Sequence, residues 1–279
     1  MGAFIHVTAW ERVSLWRRVL CAFARVGILI VLLNVVLGIL GPPIGFLLMA
    51  RWEGRKVPGV KIAPQALADY SVSSAAGTAL SYFGYEFEVP WNTRYTQKVA
   101  PKGGLVLLKF ESGQSLLFIA PANENGVLSE MAQDQSSSLR NLQPVFGDLT
   151  NRTAYDQYAV LLSTTPQSIR SFGPRAEAVR GMILLTTKAI AFGPGLETGV
   201  FSFELPDKRG FQIGDPRKSR RVALEIFGMG GHHVEFSCET SREDTKFSQP
   251  ELNRILTSLH AVAAGSLGAP PSHPTTALK

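Results

Sequence analysis

An uncharged apolar stretch near the N-terminus constrains this sequence more than any other feature. Residues 26–50 read VGILIVLLNVVLGILGPPIGFLLMA, and none of them is charged. The hydrocarbon core of a bilayer requires roughly 20 apolar residues of helix. We therefore predict a single transmembrane anchor over 19–50, which places these residues in the membrane: Val26, Leu32, Asn34 and Leu40.

The flanks of this stretch are typical of membrane interfaces. Trp16 precedes it and Trp52 follows it, which is the pattern of an aromatic belt. Gly41-Pro42-Pro43 is expected to end or kink the helix, because proline removes a backbone donor and clashes with the preceding turn. Two alternatives stay open, a cleaved signal peptide and a buried helix of a soluble core. The stretch is longer than the roughly 7 to 15 apolar residues of a signal peptide.

The charges beside the anchor do not decide its orientation. Four Lys and Arg residues precede it closely and four follow it, so the charges on the two sides are equal and the positive-inside rule predicts no orientation. Uncleaved signal anchors commonly keep a short N-terminus inside, and we expect the globular domain on the extracytoplasmic side. The predicted organisation is a basic arm over 1–18, the anchor over 19–50, a linker over 51–69, a globular domain over 70–264 and a disordered tail over 265–279.

Apolar residues alternate through much of the body, which predicts strands. In a strand, side chains two apart face the same side. Gly113 separates two such runs and provides the turn of an antiparallel hairpin. Cys238 lies inside another run and is expected to be a buried thiol. The predicted strands cover Tyr82–Val89, Leu105–Phe110, Ser115–Ala120, Phe201–Leu205, Phe211–Ile213, Val222–Ile226 and Val234–Cys238.

Helical spacing of apolar residues appears in other segments. Helices are predicted over 129–142, 154–162 and 175–189, the last with the stripe Ala178, Val179, Met182, Ile183 and Thr186. Ser248 followed by Glu251 predicts a capping box before a final amphipathic helix. We therefore predict an α+β fold in which helices cover one face of an antiparallel β-sheet.

The positive charge of the chain is concentrated in one segment. The net charge is +6, and residues 208–221 contribute +5 of it. Each Lys or Arg near an anionic lipid surface contributes about 1 kcal/mol of binding. Nucleic acid is a less suitable partner, because aromatic residues for base stacking are not interleaved with these cations. The candidate anionic-surface residues, which would otherwise form ordinary solvated loops, are Lys208, Arg209, Arg217, Lys218, Arg220 and Arg221.

Other candidate sites have simpler structural interpretations. Glu86 and Glu88 share one face of a strand, about 7 Å apart, and glycosidases use paired carboxylates. The charged outer face of an amphipathic strand gives the same pattern. His232 and His233 point to opposite faces, so they do not share a metal ion without a bulge. We predict no metal or cofactor site.

These observations favour a membrane-anchored protein that acts by binding. We expect an envelope accessory or scaffold factor whose domain binds a protein or anionic lipid partner. The alternative is a membrane-anchored envelope hydrolase that uses surface carboxylates such as Glu86. A concave pocket around polar groups with shifted pKa values would favour the enzyme, whereas an exposed patch would favour the binding module.

Overall fold

The computed structural model describes most of the predicted globular domain. The described residues are 58–100, 104–121, 126–128, 143–169, 175–192, 196–228, 232–241 and 247–262. The predicted anchor, the predicted helix over 129–142 and the predicted tail lie outside them. No helix within the described residues is both long and apolar enough to cross a membrane.

The described residues form an α+β fold, which confirms the predicted class. The strands are β1 Gln65–Ala66, β2 Thr78–Tyr82, β3 Tyr85–Val89, β4 Tyr95–Ala100, β5 Leu105–Phe110, β6 Gln114–Ile119, β7 Val200–Leu205, β8 Lys208–Ile213, β9 Arg221–Gly228, β10 His233–Thr240 and β11 His260–Ala261. The helices are α1 Gln143–Phe146, α2 Ala154–Ser163, α3 Arg175–Phe192 and α4 Gln249–Ser258, with 3-10 turns at Pro58–Lys61 and Gly147–Asn151.

The strands form two sheets. The large sheet has the order β1-β7-β8-β9-β10-β6-β5-β4, and the small one has the order β11-β3-β2. Because β1 pairs with β7 in parallel, the large sheet is mixed, in contrast to the purely antiparallel sheet that the alternation predicts. The predicted β5–β6 hairpin is confirmed, and Gly113 turns with a φ of +95°.

The segment Tyr82–Val89, predicted as one strand, is a turn followed by a strand. Phe83 and Gly84 have φ values of +53° and +82° and join β2 to β3. Period-two alternation continues across such a tight turn, so the pattern alone does not reveal it.

One face of the large sheet packs against the small sheet and α4. Phe87 of β3 lies 5.0 Å, ring centroid to centroid, from both Phe118 of β6 and Phe236 of β10. Helix α4 and its C-cap contribute four members of the stripe predicted for this helix, Leu252, Ile255, Leu256 and Leu259, all buried. The fifth, Val262, lies beyond the end of the helix and is only partly buried. Cys238 is buried in the same core, as predicted, and burial raises the pKa of its thiol to about 12.

Helices α2 and α3 cover the opposite face along β8 and β9. Tyr158 and Leu162 of α2 and Met182 of α3 form one cluster with Phe211 and Phe227 of these strands. The alternating pattern predicts one covered face and one solvated face. Both faces of the central strands are in fact covered, so polar residues assigned to the solvated face lie in the interior.

The buried side of α3 differs from the predicted stripe. Met182 is buried as predicted, but Thr186 is exposed, and Leu184, Leu185 and Lys188 are buried instead. The Nζ of Lys188 lies 2.6 to 3.3 Å from four backbone carbonyl oxygens, those of Val60, Ile62, Leu162 and Thr164, and its three N–H donors are shared among them. These bonds allow a cation to occupy a helix face that packs on the core.

Residues 58–69, which fall in the predicted linker, contribute to this fold. Val60 is 1% exposed and belongs to the core beneath α2 and α3. Leu67 is buried in the core on the other face of the sheet. The chain therefore joins the fold soon after the predicted anchor.

Candidate functional site

The structure separates the six candidate basic residues into two groups. Lys208 and Arg209 lie at the start of β8, and the other four come after the end of that strand. A six-residue strand spans roughly 17 Å. The predicted cluster is therefore not one continuous surface.

Lys208 and Arg209 are engaged within the fold. Lys208 is 4% exposed, donates its ammonium group to the carbonyl of Leu259 and lies 3.2 Å from the carboxylate of Asp207. It thereby satisfies a carbonyl at the C-terminal end of α4. The guanidinium of Arg209 lies 3.8 Å from the ring centroid of Tyr155, a cation–π geometry.

The four remaining cations form an exposed group that we name the basic turn: Arg217, Lys218, Arg220 and Arg221. Asp215 organises the connection between β8 and β9. Its carboxylate accepts from the backbone N–H of Arg217 at 2.9 Å, and its carbonyl accepts from the backbone N–H groups of Lys218 and Ser219. The acidic side chain lies 3.5 Å from the Lys218 ammonium. These contacts hold the basic turn in a defined shape and leave most of its charge at the surface.

The basic turn lies at the end of the sheet where the chain first joins the fold. The N–H of Gly214 donates to the carbonyl of Gly199, just before β7, at 2.8 Å. Gly59 packs against the residues just before β7, since a Cβ added to it would lie 2.4 Å from the Cβ of Leu196. The first described residues and the basic turn are therefore neighbours.

A pocket of about 120 Å³ opens between the large sheet and the helices, and Arg221 lines it. We name it the carboxylate pocket. Its apolar lining is Val127, Tyr158, Ala191, Phe192, Ile213 and Ala223, and its charged lining is Arg221, Glu225 and Glu235. Arg221 is therefore shared by the pocket and the basic turn.

Two carboxylates stand side by side in this pocket. Glu225 of β9 and Glu235 of β10 are directly opposite one another in the antiparallel register, which places their Cβ atoms about 5 Å apart. Burial, and then the negative charge of Glu225, raise the pKa of Glu235 to about 7. Glu225 is 2% exposed. The pocket therefore exchanges a proton near neutral pH.

His233 fixes the position of Glu225. Its Nε2 lies 2.8 Å from a carboxylate oxygen of Glu225. The imidazole stacks on Phe227 with centroids 4.3 Å apart and an interplanar angle of 8°, and its Nδ1 is buried with no hydrogen bond among the described residues. The second oxygen of Glu225 and the carboxylate of Glu235 accept no hydrogen bond within the described part of the chain.

Sequence reasoning did not identify this pocket. Glu225, His233 and Glu235 occupy the polar positions of alternating strands, where a solvated face is the ordinary interpretation. The available signal was the recurrence of titratable residues at the middle of two central strands. This recurrence indicates a buried site only when helices are known to cover that face of the large sheet.

The acidic pair predicted on β3 has structural partners. Glu86 lies 3.4 Å from the imidazole of His260, and Glu88 accepts from the Nε and Nη2 of Arg254 at 3.0 and 2.9 Å. Arg254 also donates to the carbonyls of Ser73 and Ala75. The Arg254–Glu88 pair holds the small sheet against α4, and the Glu86–His260 contact lies within the small sheet. Among the described residues, no group of three or more His, Cys, Asp or Glu side chains is arranged to hold a metal ion.

Comparison with known proteins shows no match to a protein family model or to a curated protein sequence. The basic turn and the carboxylate pocket are therefore the features from which a function can be inferred.

Proposed function

We propose that this chain is a single-pass membrane protein whose globular domain docks through the basic turn on the anionic surface of the bilayer that holds its anchor. It acts there as an envelope accessory or scaffold factor, with the domain on the extracytoplasmic side. One observation carries the proposal: the basic turn and the first described residues after the predicted anchor lie at the same end of β7.

The distance from the anchor to the fold supports this orientation. Seven residues, 51–57, separate the predicted anchor from Pro58. Even fully extended, seven residues span at most about 25 Å. They include Arg51, Arg55 and Lys56 against Glu53, a net charge of +2. A tether of this length and charge keeps the basic turn within reach of the lipid headgroups.

The energetics are sufficient for docking. Four cations that each contribute about 1 kcal/mol near anionic lipid, less the charge of Asp215 beside Lys218, provide about 3 kcal/mol before ordering costs. The tether makes docking intramolecular, with an effective concentration in roughly the millimolar range. A weak surface interaction is therefore enough to orient the domain.

The hydrolase alternative has partial support, because the carboxylate pocket combines a cavity with a raised pKa. Its volume of about 120 Å³ is below the roughly 300 to 1,000 Å³ of ordinary small-molecule sites. Of the carboxylates that the sequence offers for catalysis, Glu88 is held in an ion pair with Arg254, and Glu86 lies 3.4 Å from the imidazole of His260. These features favour a site that binds one small group.

Docking can be measured with the full chain in lipid nanodiscs. A fluorophore is attached to Glu197→Cys, in a Cys21→Ser background, at the end of the sheet near the basic turn. Lipid with a spin label on its headgroup quenches this fluorophore when the domain docks. We expect quenching at least twofold stronger with 30% phosphatidylglycerol than with phosphatidylcholine alone. High salt should abolish the difference, because surface charges are screened beyond about 10 Å at 0.1 M.

The test variant is Arg217→Ser, Lys218→Ser and Arg220→Ser together, which should lose the dependence on anionic lipid. The matched control removes the same charge from exposed positions on and beside strands β4 and β5: Arg94→Ser, Lys98→Ser and Lys109→Ser. Equal quenching in the test and control variants would contradict docking through the basic turn.

A further inference from the structure

We propose that the carboxylate pocket binds a primary ammonium group that lies a few bonds from an anionic group. Apart from Arg221, which also belongs to the basic turn, the pocket residues have no part in the proposed membrane docking. Binding of the ammonium group stands independently of the proposed function, and only a lipid source for it would rest on docking.

The two carboxylates supply the binding site for the cation. Glu225 lines the pocket, and its 2.8 Å contact with His233 engages one carboxylate oxygen and leaves the other without a hydrogen bond among the described residues. Glu235 faces it across the strand pair with no hydrogen bond of its own among the described residues. Like charges this close resist simultaneous ionisation. A cation between them relieves the repulsion and satisfies both acceptors.

The walls fit a small organic cation. Tyr158 and Phe192 line the pocket and are themselves 6.2 Å apart, centroid to centroid. Aromatic rings attract ammonium groups when these lie within about 6 Å of a ring face. A volume of about 120 Å³ is several times the roughly 10 to 15 Å³ that a cavity needs to hold one water. It admits an ammonium group on a short carbon chain.

Arg221 selects for the anionic part of the ligand. Its Nε donates to the Oγ of Ser237 at 3.1 Å, which holds the guanidinium beside the pocket. A ligand with only a positive charge would be repelled there. A phosphate or carboxylate joined to the ammonium group would pair with Arg221. Phosphoethanolamine has this arrangement, either free or as the headgroup of phosphatidylethanolamine.

Binding should depend on pH in a defined direction. The groups around Glu235 are Arg221 and Glu225 on β9, His233 on its own strand and Tyr158 on α2. The pKa of Glu235 is raised to about 7. Above pH 7 its carboxylate is free to pair with the cation, and below pH 7 a proton competes. Affinity should therefore fall roughly tenfold from pH 8 to pH 6.

The experiment is a calorimetric titration of the full chain in dodecyl maltoside at pH 8. Phosphoethanolamine is the probe, and glycerol 3-phosphate, which lacks the ammonium group, is the control ligand. We expect phosphoethanolamine to bind and glycerol 3-phosphate to bind at least tenfold more weakly. Glu225→Gln and Glu235→Gln should each weaken phosphoethanolamine at least tenfold. The exposed strand residue variant Glu204→Gln should bind as the unmodified chain does.

Absence of phosphoethanolamine binding at pH 8 would overturn the proposal, as would unchanged binding in Glu235→Gln. Because Glu225 is buried, circular dichroism must first show that Glu225→Gln is folded. If Glu225→Gln is not folded, the binding of phosphoethanolamine to Glu235→Gln alone decides the proposal. The triple variant of Arg217, Lys218 and Arg220 should still bind phosphoethanolamine, which separates this test from that of docking.

A competition arm distinguishes the two sources of the ligand. If nanodiscs containing phosphatidylethanolamine suppress the binding of free phosphoethanolamine, the lipid headgroup occupies the pocket. If free phosphoethanolamine binds equally in nanodiscs with and without that lipid, a soluble ligand occupies it.

Discussion

At the scale of single residues, the fold changes the chemistry of Glu235 most clearly. Its pKa rises from an ordinary 4.5 to about 7 because the carboxylate is buried beside Glu225. Between these values the folded chain binds more protons than the unfolded chain. The free energy of unfolding therefore falls as pH rises from 4.5 to 7, and the loss remains above pH 7. Its upper limit is between about 3 and 4 kcal/mol, since the shift is about 2.5 pKa units and one unit corresponds to about 1.4 kcal/mol.

We expect Glu235→Gln to raise the free energy of unfolding by about 1 to 3 kcal/mol at pH 8, because a neutral amide has no charge to desolvate. At pH 4.5 the gain should be much smaller, since Glu235 is then already protonated in the folded chain. Urea unfolding of the full chain in detergent at both pH values measures the difference. An equal effect at both pH values would contradict the assigned titration. Glu204→Gln provides the control from an exposed position.

At the scale of secondary-structure elements, Lys188 connects three parts of the helical layer. It lies on α3, it bonds carbonyls of Leu162 and Thr164 at the end of α2, and it bonds those of Val60 and Ile62 after the predicted anchor. It is fully buried, and burial lowers the pKa of its ammonium group to about 8. Carbonyls around the cation replace its hydration.

Replacing Lys188 with Met should lower the free energy of unfolding at pH 7 by about 3 kcal/mol. The methionine fills a similar volume but donates nothing, so four carbonyls lose the donor that they share, at about 1 to 3 kcal/mol for each buried one. This loss exceeds the roughly 3 kcal/mol that the buried charge costs, since its pKa is lowered from 10.5 to about 8. Chemical unfolding of the full chain gives the value. The control is Lys98→Met, at an exposed position of β4, which should change it by less than about 0.5 kcal/mol.

The capping box of α4 permits a second test at this scale. The Ser248 side chain accepts from the N–H of Glu251, and the Glu251 carboxylate accepts from the N–H of Ser248 at 2.7 Å. Ser248→Ala should cost about 1 kcal/mol of stability. Glu251→Gln keeps an acceptor and should cost less. The midpoint of urea unfolding compares the two, and a larger loss in Glu251→Gln would contradict this account of the cap.

At the scale of the whole molecule, the fold places the two proposed sites next to one another. The basic turn lies at the end of the sheet beside Gly59, and the carboxylate pocket adjoins it through Arg221. If the domain docks on the bilayer as proposed, its orientation there would control which molecules reach both sites, and the topology of the chain would decide on which side of the membrane they are met.

Protease protection of a C-terminally tagged full chain should place the domain outside the cytoplasmic membrane. We expect the tag to be cleaved in cells whose outer layers are opened but whose cytoplasmic membrane is intact, because a signal anchor directs translocation of the domain that is C-terminal to it. A cytoplasmic marker protein must stay intact in the same sample. Protection until that membrane is lysed would reverse the proposed topology.

Local patterns were sufficient to predict much of this protein. Period-two alternation located β5–β6 and β7 to β10, and Ser248 with Glu251 located the start of α4, because these signals depend on neighbours in the chain. The prediction of an anchor over 19–50 likewise derives from length and apolarity alone, and it stays a prediction because those residues lie outside the described part.

Only the tertiary structure decided which polar residues are buried. Lys188 and Lys208 are interior cations, and Arg217, Lys218 and Arg220 are surface ones, although the sequence presents them as similar charges. Burial depends on α2 and α3 covering the second face of the sheet, which is a contact between distant segments. The carboxylate pocket results from the same contact. The sequence by itself determined most of the elements and the predicted membrane span, whereas long-range packing determined the chemical environment of their polar side chains.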